Sequence, residues 1–476
     1  MSLLLLLAAC TGKDKTDAGT DTGDSAADAD TDTDADTDTD TDVEPDCVGT
    51  GFSSTLVNWE LPSGYDEGTF AAFGDYSTTD AITWSLFDVG AGGPDIVISK
   101  SATDPDVGNT KWILHSNTGS RFREGPLDWI LPTGFEPDTF STFQDVSTAD
   151  KVVWQLLDID GDEKLDIVVA DTDSGSGGIG STRWLVYANN DGGFESTAVN
   201  WSLPSGFVDG SLDTFTDDQP ADGVAWALFD LDGDGAVDIV VSDTDADDGV
   251  IGTTKWVLYH NNGAGFDAGT DWLLPAGFEP GTFTQFYDTS TADKVVWALM
   301  DISGDGTWDI VVADTETGSG GMGTTRWLMY ENSGTGFDDA INWDLPTGFV
   351  DGALDTVVDI ATDDGVVWSL TDLNGDGPPD IVVHDADVDA TTGDSQWLLY
   401  PASNGGFAAT SSTFALPTGL GPSLFPNLYD AVPGDAVDWA RYNLEQDNVW
   451  DLVFTHNDAD AEVGKTYWQV SNAICQ

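Results

Sequence analysis

The sequence predicts an all-β fold, and three features of the chain support this prediction. Of the 86 acidic residues, 74 are Asp and only 12 are Glu. Glu favours helix interiors, whereas Asp favours turns, caps and metal-binding loops. The chain also holds 54 Gly and 19 Pro, and 11% of its residues are aromatic, which suits many short strands joined by turns. Finally, a unit of about 71 residues recurs along the chain.

The repeat is marked by three aromatic series with nearly constant spacing. The first series opens the pattern Trp-x-Leu-Pro-x-Gly and advances in steps of 70, 72, 71, 71 and 71 residues. The first series is Trp59, Trp129, Trp201, Trp272, Trp343 and Phe414; the second is Trp84, Trp154, Trp226, Trp297, Trp368 and Trp439; the third is Trp112, Trp184, Trp256, Trp327, Trp397 and Trp468. Because these residues recur at one offset in every unit, we expect them to pack between units rather than to form sugar-binding platforms.

Each unit contains four short β-rich segments and no helical periodicity. In one unit these segments are residues 152–157, 166–170, 182–187 and 199–203, separated by turns rich in Asp, Asn, Gly and Pro. Such a unit is typical of one four-stranded antiparallel blade, and six units predict a six-bladed β-propeller. The folded region begins with a fourth-strand sequence at residues 56–59 and ends after a third-strand sequence at residues 467–470. We therefore expect the N-terminal strand to complete the last blade and close the ring.

The N-terminal 46 residues differ from the repeats, so we divide the chain into residues 1–10, 11–46 and 47–476. Five leucines precede Ala8-Ala9-Cys10, an apolar run too short to span a bilayer. This segment resembles a bacterial lipobox, which implies that Cys10 becomes the lipidated first residue. Residues 11–46 hold 14 acids against two lysines and are expected to form a disordered acidic tether. These features predict an exported protein at the bacterial outer membrane or cell surface, attached to the membrane only through its lipid.

The remaining two cysteines are predicted to form a disulfide. Cys47 lies five residues before Phe52, and Cys475 lies seven residues after Trp468. In an interior unit these two offsets meet in the turn between the third and fourth strands. A Cys47–Cys475 disulfide across the closure suits an exported protein.

Acidic loops between the first and second segments are the predicted metal sites. Four loops offer oxygen ligands at positions 1, 3, 5 and 9, a Gly at position 4 and a backbone carbonyl at position 7. The ligand sets are Asp158, Asp160, Asp162, Lys164 and Asp166; Asp230, Asp232, Asp234, Ala236 and Asp238; Asp301, Ser303, Asp305, Thr307 and Asp309; and Asp372, Asn374, Asp376, Pro378 and Asp380. Ca²⁺ suits these loops because it accepts six to eight oxygens in loose geometry.

The loops of the first and sixth units depart from this pattern. The first unit offers only Asp88, Gly90, Gly92 and Asp95, is one residue short, and is expected to bind nothing. The sixth offers Asn443, Glu445, Asp447 and Asp451 but lacks the glycine that allows the tight turn in the other loops. Whether it binds an ion stays open. The sequence thus predicts about four Ca²⁺ ions, or five if the sixth loop also binds.

The loops resemble FG-GAP/VCBS-type repeats. Blades of that family carry Asp-x-Asp-Gly-Asp-Gly-x-x-Asp calcium loops that lead into an Ile-Val-Val strand, as in the integrin α-subunit head. Residues 230–241 hold the nearest copy of this motif, and the resemblance covers residues 47–476. It implies extracellular adhesion or recognition, with calcium as a structural ion.

The leading functional interpretation is a calcium-binding, surface-anchored propeller that serves as a non-catalytic binding or adhesion module. Its expected partner is an extracellular protein or glycan, and the chain is expected to be a monomer. The formal net charge of −72 excludes nucleic acid as a partner. Two alternatives remain: a carbohydrate-active enzyme, such as a lyase or glycosidase, and a purely structural envelope protein.

Other polar residues give weaker indications. The four histidines, His115, His260, His384 and His456, share no offset in the repeat, so neither a histidine metal site nor a Ser-His-Asp triad is predicted. Before the third aromatic series stand the basic residues Lys111, Arg183, Lys255 and Arg326. We expect these to form internal salt bridges with acids that follow the second strand, such as Asp171, Asp243 and Asp314, rather than to bind an anion.

Overall fold

Every element assigned in the described part of the chain is a β-strand, which confirms the all-β class. The computed structural model describes residues 48–475 except 78–79, 90–92, 148–151, 173–177, 191, 208–209, 218–222, 245–248, 291–294, 316–320, 360–364, 387–388, 404, 422–423, 430–435, 446 and 448. The predicted lipobox, the tether and Cys47 lie outside the described residues. Among the residues described, none belongs to a helix long and apolar enough to cross a membrane.

Four strands recur at the same place in every repeat. The first strands are β4 (Ile82–Phe87), β9 (Val152–Leu157), β13 (Val224–Phe229), β18 (Val295–Met300), β22 (Val366–Thr371) and β28 (Val437–Tyr442). The second strands are β5 (Asp95–Ser101), β10 (Asp166–Thr172), β14 (Asp238–Thr244), β19 (Asp309–Thr315), β23 (Asp380–Ala386) and β29 (Asp451–Asn457). The third strands are β6 (Lys111–His115), β11 (Arg183–Tyr187), β15 (Lys255–Tyr259), β20 (Arg326–Tyr330), β24 (Gln396–Tyr400) and β30 (Tyr467–Ser471). The fourth strands are β7 (Leu127–Ile130), β12 (Val199–Ser202), β16 (Thr270–Leu273), β21 (Ile341–Asp344), β27 (Ser412–Ala415) and β2 (Val57–Glu60).

Seven shorter strands lie in the connections and at the chain ends. They are β1 (Gly49–Phe52), β3 (Gly74–Asp75), β8 (Gln144–Asp145), β17 (Tyr287–Asp288), β25 (Ala402–Ser403), β26 (Gly406–Phe407) and β31 (Ala473–Cys475). Three of them, β3, β8 and β17, each extend a sheet beyond its first strand.

The strands form six hydrogen-bonded sheets, which we number by the repeat that supplies the first strand. Sheet 1 is β3-β4-β5-β6-β7, sheet 2 is β8-β9-β10-β11-β12, sheet 3 is β13-β14-β15-β16, sheet 4 is β17-β18-β19-β20-β21-β26-β25, sheet 5 is β22-β23-β24-β27-β1-β31, and sheet 6 is β28-β29-β30-β2. Sheets 1 to 5 each take their four main strands from one stretch of chain. Sheet 6 is completed by β2, which pairs antiparallel with β30, as the sequence predicts. The propeller arrangement of the sheets is thus confirmed.

Burial along the strands follows their position in the sheet. In each second strand the first five residues are buried, as expected for a strand covered on both faces. In each fourth strand only the aromatic residue is buried, because this strand lies next to solvent. The apolar second-strand sequence therefore supplies the centre of each sheet.

The recurring tryptophans are core residues, as predicted. Third- and fourth-strand aromatic residues face each other directly in all six sheets, as in the pair Trp184 and Trp201. Each third-series Trp also contacts the second-series Trp of the next sheet, with ring centroids 6.3 to 6.4 Å apart. The last of these contacts joins Trp468 in sheet 6 to Trp84 in sheet 1. The aromatic contacts therefore pass through all six sheets.

A parallel bridge links the fourth strand of each sheet to the segment that precedes the next fourth strand, in the same cyclic order. The bridged pairs are Ile130 with Gly193, Ser202 with Gly265, Leu273 with Gly336, Asp344 with Gly406, Ala415 with Gly51, and Glu60 with Arg121. At Gly265 the φ angle is 150°, and an added Cβ would lie 2.7 Å from the backbone nitrogen and oxygen of Ser202. Glycine is required there because the two backbones approach so closely.

The chain ends meet beside this closure. Strand β1 pairs antiparallel with β31, and Gly49 lies opposite Cys475. Cys475 is disulfide-bonded. Since Cys47 lies outside the described residues, its pairing with Cys475 stays a prediction.

We predict that Gly265→Ala lowers the free energy of unfolding more than Gly263→Ala. Both glycines have positive φ angles, but an added Cβ at Gly263 meets nothing within 4 Å. Gly263→Ala therefore loses only the free energy needed to hold alanine at a positive φ angle. Gly265→Ala also disrupts the bridge to Ser202, which should lower the free energy of unfolding by a further amount of about 1–3 kcal/mol. Urea denaturation of both variants measures the difference. Equal losses would show that the close approach at Gly265 does not matter.

Candidate metal-binding loops

Each of the four predicted loops joins a first strand to a second strand, and its last ligand begins the second strand. Asp166, Asp238, Asp309 and Asp380 are the first residues of β10, β14, β19 and β23. Each pairs with the last residue of the preceding strand, for example Asp238 with Phe229. The strand pairing thus fixes the backbone position of the position-9 residue independently of the loop that precedes it.

The carboxylate at position 1 organises the loop around itself. The amides of Gly233 and Asp234 donate to one oxygen of Asp230 at 2.8 and 3.1 Å, and Gly235 donates to the other at 2.8 Å. The same contacts recur at Asp158 and Asp301, and two of the three recur at Asp372. The loop therefore curls around a carboxylate, and its remaining acids face the same small space.

Left-handed backbone is needed at positions 4 and 6 of these loops. Position 4 is Gly in all four, with φ angles of 75 to 78°. Position 6 is Gly235, Gly306 or Gly377 in three loops, but Glu163 in the first, with φ of 70°. A side chain in this region costs about 1–2 kcal/mol. Glu163 is therefore strained where the other loops are relaxed.

The position-9 carboxylates are buried and only half satisfied. All four are at most 1% exposed. One oxygen of each accepts a backbone N–H, from Asn189, Asn261, Asn332 or Ala402, at 2.8 to 3.0 Å. The second oxygen of each has no hydrogen-bond partner among the described residues. A buried carboxylate oxygen without a donor is costly unless a cation or a proton meets it.

Burial and neighbouring charge alter the acidity of these groups. Burial raises the pKa of Asp166, Asp238 and Asp309 to about 7 and that of Asp380 to about 8, and nearby loop carboxylates add to each shift. Burial also raises the pKa of the position-1 residues Asp158, Asp301 and Asp372.

Some of the predicted side-chain ligands converge in three of these loops. Carboxylate oxygens lie within 4.8 Å of one another in three groups, which are Asp158, Asp160 and Asp162; Asp230, Asp232 and Asp234; and Asp372, Asp376 and Asp380. In the loop of sheet 4, the Ser303 hydroxyl lies 3.5 Å from Asp301. At position 7, the amides of Lys164, Ala236 and Thr307 donate to the position-5 carboxylates at 2.9 to 3.0 Å. These sets of oxygens can hold a hard divalent cation.

The loops of sheets 1 and 6 differ at the same buried position. In sheet 6, Asp451 uses both oxygens, accepting from Ala473 at 3.1 Å and from Leu444 at 3.2 Å. Its neighbour Glu445 accepts a hydrogen bond from Asn472. In sheet 1, Asp95 accepts from Asn117 at 2.7 Å, while Gly90 and Gly92 lie outside the described residues. Both oxygens of Asp451 therefore have a hydrogen-bond donor, unlike the position-9 carboxylates of the other four loops.

The sequence interpretation missed two features of these sites. An asparagine in the third-to-fourth-strand turn donates its side-chain amide to the loop of the previous sheet, as Asn261 does to the Ile159 carbonyl at 2.6 Å. Asn117, Asn189 and Asn332 make the same kind of contact. Their spacing follows the repeat and could have indicated this role. The other feature is His260, which occurs in one repeat only.

His260 lies against the acidic loop of sheet 3. Its Nδ1 is 2.8 Å from Asp232 Oδ2 and 3.6 Å from Asp238 Oδ1, and its Nε2 is 3.8 Å from Asp234 Oδ2. Burial lowers the pKa of His260, but the three carboxylates raise it by more, so the pKa lies above its usual value. The sequence predicts no histidine metal site, and the lack of a shared offset could not indicate that the fold places His260 beside two loop carboxylates.

Two other groups bear on the sequence expectations. Lys111 and Lys255 form internal salt bridges, as expected. Lys111 contacts Asp104, which follows the second strand as expected, and Asp128 in the fourth strand, while Lys255 contacts Asp271 in the fourth strand. Ser369 Oγ lies 3.1 Å from His384 Nε2, but His384 Nδ1 contacts the Pro426 carbonyl rather than a carboxylate. His384 is also 3% exposed. Ser369 and His384 therefore do not form a Ser-His-Asp triad.

The sequence matches no protein-family model and no curated protein. Among solved structures, the chain is similar to the Photorhabdus luminescens Tc holotoxin pore at 17% identity and a TM-score of 0.48, covering 89% of this chain but only 15% of that one. It is also similar to an Agrocybe aegerita lectin described as recognising non-reducing terminal N-acetylglucosamine, at 17% identity and a TM-score of 0.39, covering 83% and 81% of the two chains. A Fusarium graminearum α-L-arabinofuranosidase is 12% identical with a TM-score of 0.30, covering 89% and 98%. These similarities concern the fold, and no functional role is transferred from them.

We predict that Glu163→Gly stabilises the loop of sheet 2. Glycine adopts the 70° φ angle of this position without the side-chain penalty. The gain should approach about 1 kcal/mol in the free energy of unfolding. Urea denaturation measures it, with Glu195→Gly as a control at an exposed acid outside the loop. A loss of stability in Glu163→Gly would contradict the assignment of strain.

We also predict that metal-free protein becomes less stable as the pH rises towards 8. The folded-state pKa of Asp309 is about 7, above its ordinary value of 3.8. Its protonation therefore contributes stability that is fully present below about pH 3.8 and is lost as the pH rises through 7. Asp309→Asn should reduce the pH dependence of unfolding, measured in chelator between about pH 5 and 8, by the share of one of the four raised carboxyl groups. A variant with the parental pH dependence would contradict the prediction.

Proposed function

We propose that this protein is a calcium-stabilised, non-catalytic binding propeller. The observation that carries the proposal is the buried carboxylate at position 9 of four loops, which has one oxygen held by the backbone and the other without a donor. Each loop adds oxygens from positions 1, 3 and 5, together with the carbonyl of Lys164, Ala236, Thr307 or Pro378 at position 7. Calcium suits this set because it takes six to eight oxygen ligands, including carbonyls, in flexible geometry.

We infer that the six sheets are six blades of one ring. Support comes from the Trp–Trp contacts, which connect each sheet to the next and return from sheet 6 to sheet 1. The predicted Cys47–Cys475 disulfide would hold the chain ends beside this closure. We further propose that the propeller is monomeric and exported, and that lipidated Cys10 and the acidic tether hold it at the bacterial surface.

The repetition of polar groups supports binding over catalysis. Asp75, Asp145, Asp217, Asp288 and Asp359 occupy equivalent positions beside the first strands of five sheets. A catalytic centre needs different groups in different roles, whereas a structural or multivalent binding surface can repeat them. The carbohydrate-active enzyme stays the second candidate. It predicts release of reducing sugar ends from a polysaccharide panel, which the binding proposal does not.

The calcium proposal is tested by the response of thermal unfolding to chelator. We expect calcium to raise the melting temperature, because each site would add about 2.7 kcal/mol at a concentration of 100 Kd. Asp309→Asn should lose part of this response. Asp451→Asn is the matched control, since both of its oxygens accept backbone amides, and it should respond to calcium as the parent does. Melting that is unaffected by chelator would overturn the proposal.

The binding role is tested with a glycan array and a panel of purified extracellular matrix proteins, each probed with and without calcium. We expect a ligand whose retention is lost in chelator, because the loops that shape the binding surface would be held by the ion. Equal retention with and without calcium would show that ligand binding does not depend on the metal loops.

A further inference from the structure

We infer that the loop of sheet 3 holds a divalent transition-metal ion of the Zn²⁺ class, with His260 as its nitrogen ligand. The ion would be shared by His260, Asp232 and Asp238, whose ligand atoms lie within 4.8 Å of one another. This inference goes beyond the proposed calcium sites, although it uses two acids of the same loop.

The fold delivers His260 to this loop from another part of the sheet. His260 directly follows the third strand β15, and its neighbour Asn261 donates its backbone amide to Asp238 at 2.8 Å. The same asparagine donates its side-chain amide to the Ile159 and Val237 carbonyls at 2.6 and 2.9 Å. These contacts fix the backbone next to His260, so the imidazole is positioned at the loop.

One buried polar atom at this point has no partner among the described residues. Asp238 is 0% exposed, and its Oδ2 has no hydrogen-bond partner there. His260 Nδ1 pairs with Asp232, with 2.8 Å between Nδ1 and Oδ2, and this contact leaves the Asp238 oxygen unsatisfied. A cation shared by the three residues would meet that buried oxygen.

The separations suit ligands of one small ion. Zinc binds imidazole nitrogen and carboxylate oxygen at about 2.0–2.2 Å, so two of its ligands in a tetrahedral site stand about 3.3–3.6 Å apart. His260 Nδ1 is 2.8 Å from Asp232 Oδ2 and 3.6 Å from Asp238 Oδ1. The distance to Asp238 lies at the upper end of that range, and the distance to Asp232 would have to lengthen by about 0.5 Å for the three groups to surround one ion.

The nitrogen ligand distinguishes this loop from the other three. Ala188, Glu331 and Pro401 stand where His260 stands, as shown by the backbone hydrogen bond that each carbonyl accepts from seven residues later. None of these residues offers an imidazole. Imidazole suits Zn²⁺ and related ions, whereas carboxylate, carbonyl and water suit Ca²⁺. The four loops would therefore differ in ion preference because of one side chain.

The experiment titrates the full-length, chelator-stripped protein with Zn²⁺ in the presence of saturating Ca²⁺, using calorimetry. We expect one site that depends on His260, and His260→Gln should weaken it about tenfold or more. His456→Gln is the matched control, because His456 also contacts an acid, Asp458 at 3.2 Å, but lies outside the loops. The visible absorption of Co²⁺ bound in place of Zn²⁺ should show the bands of a site with a nitrogen ligand in the parent protein. These bands should be absent in His260→Gln.

A gain-of-function variant tests the same inference in the opposite direction. Ala188→His places an imidazole beside the all-oxygen loop of sheet 2, and we expect it to add a second Zn²⁺ site. Equal Zn²⁺ binding by the parent and His260→Gln would overturn the inference, and the calcium response of melting would still report on the calcium proposal. Conversely, His260-dependent Zn²⁺ binding without any calcium response would sustain this inference and refute the calcium proposal.

Discussion

Each sheet is covered on its faces by neighbouring sheets, and the fold depends on this mutual burial. The contact between a third-series Trp and the second-series Trp of the next sheet occurs at all six junctions. Twelve of the fully buried large side chains are tryptophans. A sheet without its neighbour would expose these rings, which are among the largest contributors to hydrophobic stabilisation. The repeat therefore specifies a closed cycle rather than six independent units.

The acidic loops belong to the same system of contacts between sheets. A Cβ added at Gly233 would lie 2.8 Å from Thr307 of the next loop, and one added at Gly304 would lie 2.6 Å from Pro378. The loops of sheets 3 to 5 thus lie close to one another. The side-chain amides of Asn261 and Asn332 also cross from one sheet to the loop of the previous one. An ion bound in such a loop would hold two sheets together as well as one turn.

Periodicity explains why so much of the fold could be predicted from the sequence. Strand positions, aromatic pairs and the completion of sheet 6 by β2 all follow from residues that recur at fixed offsets. The four acidic loops were identified for the same reason. Features that occur once, such as His260, or that arise from the meeting of backbones, such as the bridge at Gly265, leave no periodic pattern. Their roles depend on which turns the sheets bring together, and that placement is a property of the folded chain.

The two loops that depart from the metal pattern lie on either side of the closure between β2 and β30. There, both oxygens of Asp451 accept backbone amides, whereas the equivalent carboxylate in each of the four metal loops has one oxygen without a partner among the described residues. Asn117 of sheet 1 donates to the Leu444 carbonyl of sheet 6 at 3.0 Å, the same kind of contact that Asn261 and Asn332 make at the metal loops. The pairing of β2 with β30 joins segments far apart in sequence, which carries a large loop-closure cost. Because the contacts of Asp451 are made by the protein itself, metal binding would chiefly stabilise the four sheets whose loops carry an unpartnered buried oxygen.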